Sequence, residues 1–201
     1  MSRGLGDVYK RQTYYFTLAT SFILFIVLFK FGKYDLKSNI FEKILTIFLG
    51  YLLIPIVLSI PFYFSIYNLT FSNSFFEAIS GFTSTGFTVF DNIKLVDQSL
   101  IIWRSSTQWI GGLYFLFSII YLIDIYDESL KKTLTNFISF NSSEILKQAT
   151  KIFILYSSLT ILIFVILNIF SIRTFDSLNL ALTIISSCLL YTSPSPRDMT
   201  G

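Results

Sequence analysis

The sequence predicts an all-α membrane protein in which transmembrane helices flank a re-entrant pore loop, a helix, P-loop, helix arrangement. The first observation is bulk composition: 53% of the 201 residues are hydrophobic and 13% are charged, with a mean hydropathy of +0.67, a balance uncommon in soluble domains. The second is length, since four apolar stretches approach the roughly 20 residues that a helix needs to cross a bilayer core. The third is a segment between the second and third stretches that is apolar enough to enter a membrane and yet rich in Ser, Thr and Gly.

The stretches are Tyr14 to Phe31, Ile44 to Phe64, Leu100 to Ile123 and Ile152 to Ile172. Pro55 and Pro61 are expected to bend the second around the segment that follows it. The abundant Phe residues suit lipid contact, while Tyr63, Tyr67 and Trp103 suit an interfacial belt. The net charge of +3 is small, and its Lys residues lie in the loops between spans, which reads as membrane orientation and sets nucleic acid aside. The chain has no His and a single Cys, Cys188, which removes most metal-ligand, thiol and His-base chemistry.

The unusual segment runs from Phe71 to Phe90 and contains Glu77, Gly81 and Gly86. The loop after the first span holds Lys30, Lys33, Lys37 and Lys43, and the loop after Ile123 holds Lys131, Lys132, Lys147 and Lys151, so both are expected in the cytoplasm. The stretches near Lys94 and Arg173 are poor in Lys and Arg. A Phe71 to Phe90 span would put the two Lys-rich loops on opposite sides, whereas a segment that dips in and returns keeps both inside.

Its residues fit that return. Ser74-Phe-Phe-Glu77 has capping-box spacing, and Gly81 and Gly86 allow a helix to end and the chain to extend. A half-helix followed by irregular backbone is tolerated at membrane depth only where protein buries it or an aqueous cavity solvates it. The carbonyls of Thr83, Ser84, Thr85, Gly86 and Phe87 are then placed to replace a cation's hydration shell, with Gly86 supplying positive φ. The negative end of the half-helix faces the same ion. The residue-level alternative is a Ser/Thr/Gly-rich external turn joining two ordinary helices.

Three neighbours are read structurally. Arg104, near the outer start of the third span, is expected to snorkel or to bond carbonyls of the adjacent loop. Glu77 is expected to cap the half-helix and is not assigned as an ion ligand. Gly111-Gly112 is expected to allow close helix approach.

In this setting Ser80-Gly-Phe-Thr-Ser-Thr-Gly-Phe-Thr88, preceded by Phe76-Glu-Ala and followed by Gln108-Trp-Ile-Gly-Gly112, resembles the first pore unit of the TrkH/KtrB family of potassium-uptake membrane subunits. The resemblance covers nearly all of Thr13 to Ser187. It implies four helix, pore-loop, helix units around one pore, with one filter glycine per unit, here Gly86. It further implies potassium as the transported ion, no covalent cofactor, a bacterial inner-membrane location, a homodimer and a cytoplasmic TrkA-type nucleotide-binding partner. Selectivity is expected to be modest, because the filter is short. Leu113-Tyr114 departs from the Met-Gly common in the family, which leaves the packing of that helix open. A shift of about a hundred residues sets Asp176-Ser177 on Asn73-Ser74, Thr183 on Ser80 and Ser186-Ser187 on Thr83-Ser84, a weak internal repeat consistent with a second unit.

Two other classes compete. A membrane-embedded acyl or glycosyl transferase needs paired carboxylates or His near the membrane surface, and Asp124, Asp127 and Glu128 read as a solvated loop instead. A purely structural helical subunit has no reason to keep Gly86 inside a re-entrant loop.

The expected organisation is an accessory span and cytoplasmic loop at 13–43, a complete pore unit at 44–123, a cytoplasmic loop at 124–148 and part of a second unit at 149–187. Residues 1–12 and 188–201 stand apart. Ser2 to Gln12 and Cys188 to Asp198 can be encoded by DNA strings that are reverse complements of each other apart from frame offsets at the edges, and both resemble a transposon-end adapter used in sequencing libraries. They are therefore expected to be translated adapter rather than protein. Trimming the raw reads should remove both strings together; genomic DNA that encodes either tail would refute the adapter.

Overall fold

The computed structural model describes residues 3–31, 40–66, 69–90, 96–123 and 145–186, and the elements named below are those of the described residues. The chain order is α1 (Arg3–Phe31), α2 (Ile40–Leu58), α3 (Ile60–Ser65), α4 (Phe71–Phe82), α5 (Gln98–Ile123), α6 (Ile145–Ile169) and α7 (Thr174–Ile185). Polar and apolar groups are arranged inside out: sixteen buried side chains are polar or charged against eight that are hydrophobic, while Phe41, Leu18, Phe22, Ile161 and Ile169 lie exposed. A water-soluble fold shows the reverse. Two helices, Phe41–Ser65 and Ala149–Ile169, are long and apolar enough to cross a membrane. The expected third span, α5, has the length, 26 residues, but carries Arg104, Ser105, Thr107 and Gln108 on its buried face.

The second span is broken, as its prolines predict. Pro55 lies inside α2 and Pro61 sits in the first turn of α3, separated by Ser59. Both prolines are fully buried. The Ser59 N–H donates to the Pro55 carbonyl at 2.8 Å and the Tyr63 N–H to the Ser59 carbonyl at 3.0 Å, so the turn is bridged rather than open. Trp103, half-buried, has an internal partner: its Nε1–H donates to the Leu58 carbonyl at 3.0 Å and its ring packs on the core. Tyr67 lies outside the described residues.

α4 begins earlier than the Ser74-Phe-Phe-Glu77 box predicts. Thr70, in extended conformation, is the N-cap and accepts from the Asn73 N–H. Ser74 is one turn inside, its hydroxyl donating to the Thr70 carbonyl at 3.0 Å. Thr70 can take the role because a Thr at the N-cap satisfies an orphan donor much as Ser does, and starting there adds a further turn to the helix. α4 is twelve residues long, about 18 Å at 1.5 Å per residue, too short to cross a core of about 30 Å.

The hydrophobic core forms around this half-helix. Ala78 and Phe82 of α4 meet Leu58, Phe62 and Leu100, with Tyr51, Ile54, Phe90, Ile110 and Tyr114 around them. The Leu113-Tyr114 departure has a local solution in Gly50. A Cβ at Gly50 would overlap the Tyr114 hydroxyl, which crosses from α5 to donate to the Ile47 carbonyl of α2 at 3.1 Å. The Tyr114 ring sits 5.0 Å from Tyr51 and 5.4 Å from Phe82. α7 packs against α5 and α6 on the other side. The Lys33, Lys37, Lys94, Lys131 and Lys132 positions used for orientation, the Asp124, Asp127 and Glu128 loop, and the 188–201 segment lie outside the described residues.

Candidate functional site

Where α4 ends, the backbone reverses. Thr83 has φ −84°, Ser84 φ 54° and Gly86 φ 85°. The sign of φ alternates from Thr83 to Gly86. Gly86 has the positive φ expected of it. Ser84 takes the left-handed region too, at a cost of about 1–2 kcal/mol for a residue with a Cβ, and nothing in its sequence context announces it.

The turn's N–H groups are tied back to the helix. Ser84 N–H donates to Gly81 O at 3.0 Å, and Thr85 and Gly86 N–H both reach Ser80 O, at 3.0 and 3.5 Å. The Thr83 hydroxyl donates to Ile79 O at 2.8 Å and lies 2.6 Å from the Thr85 hydroxyl. Among the described residues the carbonyls of Thr83, Ser84, Thr85 and Gly86 accept no hydrogen bond. Four consecutive acceptors are therefore free at a chain reversal, with Thr83 and Thr85 exposed.

Phe87 differs. Its carbonyl accepts from the Ser80 hydroxyl at 2.6 Å and from Arg104 Nη2 at 2.9 Å, so both lone pairs are engaged by protein and none is left for a cation. Arg104 thus bonds a loop carbonyl, as one of its two structural readings expects. Glu77 is not a helix cap. Its carboxylate, fully buried, accepts from the Thr88 hydroxyl at 3.1 and 3.2 Å and from the Val89 N–H at 3.0 Å, and forms an ion pair with Arg104. With Ser80 holding Phe87 and Glu77 holding Thr88 and Val89, the chain runs back along the helix it has just left.

The Gly pair on α5 seats this structure. A Cβ at Gly111 would overlap the Phe82 carbonyl, at the last residue of α4, and a Cβ at Gly112 would lie 2.6 Å from the Tyr156 hydroxyl and 3.1 Å from the Ser186 Cα, at the end of α7. Close approach is thus the use of both glycines, and each receives a different half-helix. The two half-helices keep one register: Thr174 stands 103 residues after Phe71, and Ile185 stands 103 after Phe82. Their C-caps have nearly the same geometry, φ −84° and ψ 3° at Thr83 against φ −79° and ψ 1° at Ser186. Ser187 and the position where a second filter glycine is expected lie outside the described residues.

The profile of the TrkH family, described as cation transport protein, matches residues 56–182. An uncharacterized cation transporter of Methanocaldococcus jannaschii is 29% identical over 149 residues, covering 69% of this chain and 30% of that protein. The Trk system potassium uptake protein TrkH of Escherichia coli K12 is 34% identical over 103 residues, 51% of this chain and 21% of that one. The chain thus spans a third or less of these relatives. The crystal structure of the potassium transporter TrkH from Vibrio parahaemolyticus superposes with a TM-score of 0.59 at 18% identity, covering 90% of this chain and 41% of that one, which establishes a shared fold.

The seat makes a ranked prediction. Gly111→Ala drives a methyl into the Phe82 backbone, which cannot yield without moving the turn, whereas Gly112→Ala meets mainly the movable end of Tyr156. Gly111→Ala should destabilise by roughly 1–3 kcal/mol, the usual range for overpacking, and Gly112→Ala by less. Thermal unfolding of the detergent-purified protein reads both; a Gly111→Ala variant as stable as the parent would remove the seat.

Proposed function

The chain belongs to the TrkH family of membrane cation transport proteins, and from that premise we propose that it carries part of a potassium-uptake pathway whose filter is the backbone of Thr83, Ser84, Thr85 and Gly86. The observation that carries this reading is the row of four unengaged carbonyls at a reversal between a half-helix and a returning limb. Such carbonyls replace a cation's hydration shell without covalent chemistry. The C-terminal end of α4, with its partial negative charge, faces the same turn. Phe87 belongs to the scaffold in this reading, not to the ion's ligand set. The oxygens are hard and uncharged, which suits a weakly held, mobile monovalent ion.

The half-helix and its returning limb form a re-entrant loop entering from the outer face, between a span made of α2 and α3 and a span made of α5. The short α4 supports this, because irregular backbone needs the cover that α2, α3 and α5 give it. The protein is then multi-pass in a bacterial inner membrane, with α7 opening a second unit. A homodimer and a cytoplasmic TrkA-type nucleotide-binding partner rest on the family resemblance.

Two measurements test the reading. Single Cys residues at Lys37 or Lys131 in intact cells should resist an impermeant thiol reagent added outside, while one at Lys94 should react; outside labelling at Lys131 would make 71–90 a full span. For the filter, Gly86→Ser in the full-length gene places a side chain where φ is 85°, at a cost of roughly 1–2 kcal/mol. Potassium over sodium discrimination should fall about tenfold, with protein level nearly unchanged. Growth of a potassium-uptake-deficient strain at low potassium, with and without sodium, reads the outcome against Ser118→Ala; parity between the two variants would remove Gly86 from the filter.

A further inference from the structure

The returning limb, residues 87–89, is held by side chains from two helices, and the hold centres on a pair of opposite charges sealed from solvent. Glu77 is 0% exposed and Arg104 4%. Stability alone does not account for such a pair, because removing two charges from water costs about as much as their attraction returns, and apolar packing often does as well. What distinguishes this one is how each member spends its remaining hydrogen-bonding capacity. Glu77 takes the Thr88 hydroxyl and the Val89 N–H, and Arg104 donates to the Phe87 carbonyl. Three consecutive residues are thus fixed immediately after Gly86, and among the described residues no comparable side chain fixes Thr83 to Gly86 from outside the half-helix.

We propose that Glu77 and Arg104 are positioning residues for cation selectivity: together with Ser80 they hold the Phe87 carbonyl away from the ion path and set the exit angle of the chain from Gly86. This rests on reading Thr83 to Gly86 as the filter. The division of labour is specific. The Ser80 hydroxyl and the Arg104 guanidinium share one acceptor, at 2.6 and 2.9 Å, so losing either leaves a lone pair on the Phe87 oxygen able to turn toward an ion. Glu77 neutralises Arg104, so losing Glu77 alone leaves a positive charge directly behind the filter, and losing Arg104 alone leaves a negative one. The first opposes cation passage; the second does not, but it frees the carbonyl. A purely structural pair would not separate rate from discrimination in this way.

The test is rubidium uptake in the full-length protein, with sodium competition as the measure of discrimination and both normalised to folded protein by fluorescence size-exclusion. Arg104→Gln removes a charge-assisted bond and should lower discrimination at least tenfold, while rate per molecule persists. Ser80→Ala removes one neutral bond and should lower discrimination about fivefold, touching neither charge. Glu77→Gln should lower the uptake rate about tenfold, and the Glu77→Gln/Arg104→Gln double variant should regain rate but not discrimination. If the charged variants fail to accumulate, Ser80→Ala decides by itself. Wild-type discrimination in Ser80→Ala, with Gly86→Ser impaired, overturns the positioning role. Wild-type discrimination in Gly86→Ser instead overturns the filter reading, and the positioning role with it.

Discussion

A chain that leaves a helix after three turns and reverses must find partners for every backbone group it turns inward, and the solution here is a buried carboxylate paired with a buried guanidinium. Glu77 alone would be an uncompensated charge in an apolar layer, and Arg104 alone likewise; either state is strongly disfavoured. Paired, each retains capacity to spare, and that capacity goes to the Phe87 carbonyl, the Thr88 hydroxyl and the Val89 N–H. The inward-facing half of the reversal is thereby satisfied by side chains. The other half, Thr83 to Gly86, keeps its carbonyls free because its N–H groups are already bonded to the end of α4. Donors are consumed internally and acceptors are presented, which is the polarity a cation requires.

This arrangement sets what α5 can be. To deliver Arg104 to the loop, α5 must lie against α4, and the approach is limited by the backbone where the two helices touch. Gly81 meets the Thr107 side chain and Gly111 meets the Phe82 carbonyl, so small residues stand on both faces of the contact. Such faces let helices in membranes approach closely enough for van der Waals contact to hold them, in the absence of a strong hydrophobic drive between them. α5 must then carry polar residues along its buried face, and its low apolarity relative to α2 and α6 follows from that duty.

The parts legible in the sequence are those set by short-range chemistry. Length and hydropathy give the helices, Pro55 and Pro61 give the break near Ser59, and a Gly after Ser-Thr gives a positive φ. The repeat also places α7 in the register of α4, with Ser186 at its end as Thr83 ends α4, although the two helices start differently, on Thr70 and Arg173. What was not legible depends on contacts across the sequence. Glu77 has capping-box spacing from Ser74, and nothing local reveals that its partner is Arg104 on another helix. Thr70 takes the cap one turn before Ser74, and the capping-box spacing does not distinguish the two. Ser84 adopts φ 54° because Thr83 and Gly86 are both anchored, a constraint that no propensity encodes. Trp103 reads as interfacial by residue type, and nothing local reveals that its Nε1–H meets the Leu58 carbonyl beside the break at Ser59.

The two half-helices share a register but not a fastening, and the difference bears on how the units work together. The position of α7 that corresponds to Glu77 is Leu180, and the one carboxylate of α7, Asp176, pairs locally with Arg173 at 3.3 Å, so no carboxylate of the second half-helix stands where Glu77 meets Arg104. Its bond to α5 is neutral instead: the Ser105 hydroxyl donates to Asn179 Oδ1 at 2.7 Å. Adjacent residues of one helix, Arg104 and Ser105, thus serve adjacent units, one through a buried ion pair and the other through a neutral hydrogen bond. A charged clasp resists displacement more than a neutral one does, because separating it leaves two buried charges rather than two dipoles. The first half-helix is accordingly the more firmly clasped of the two against α5.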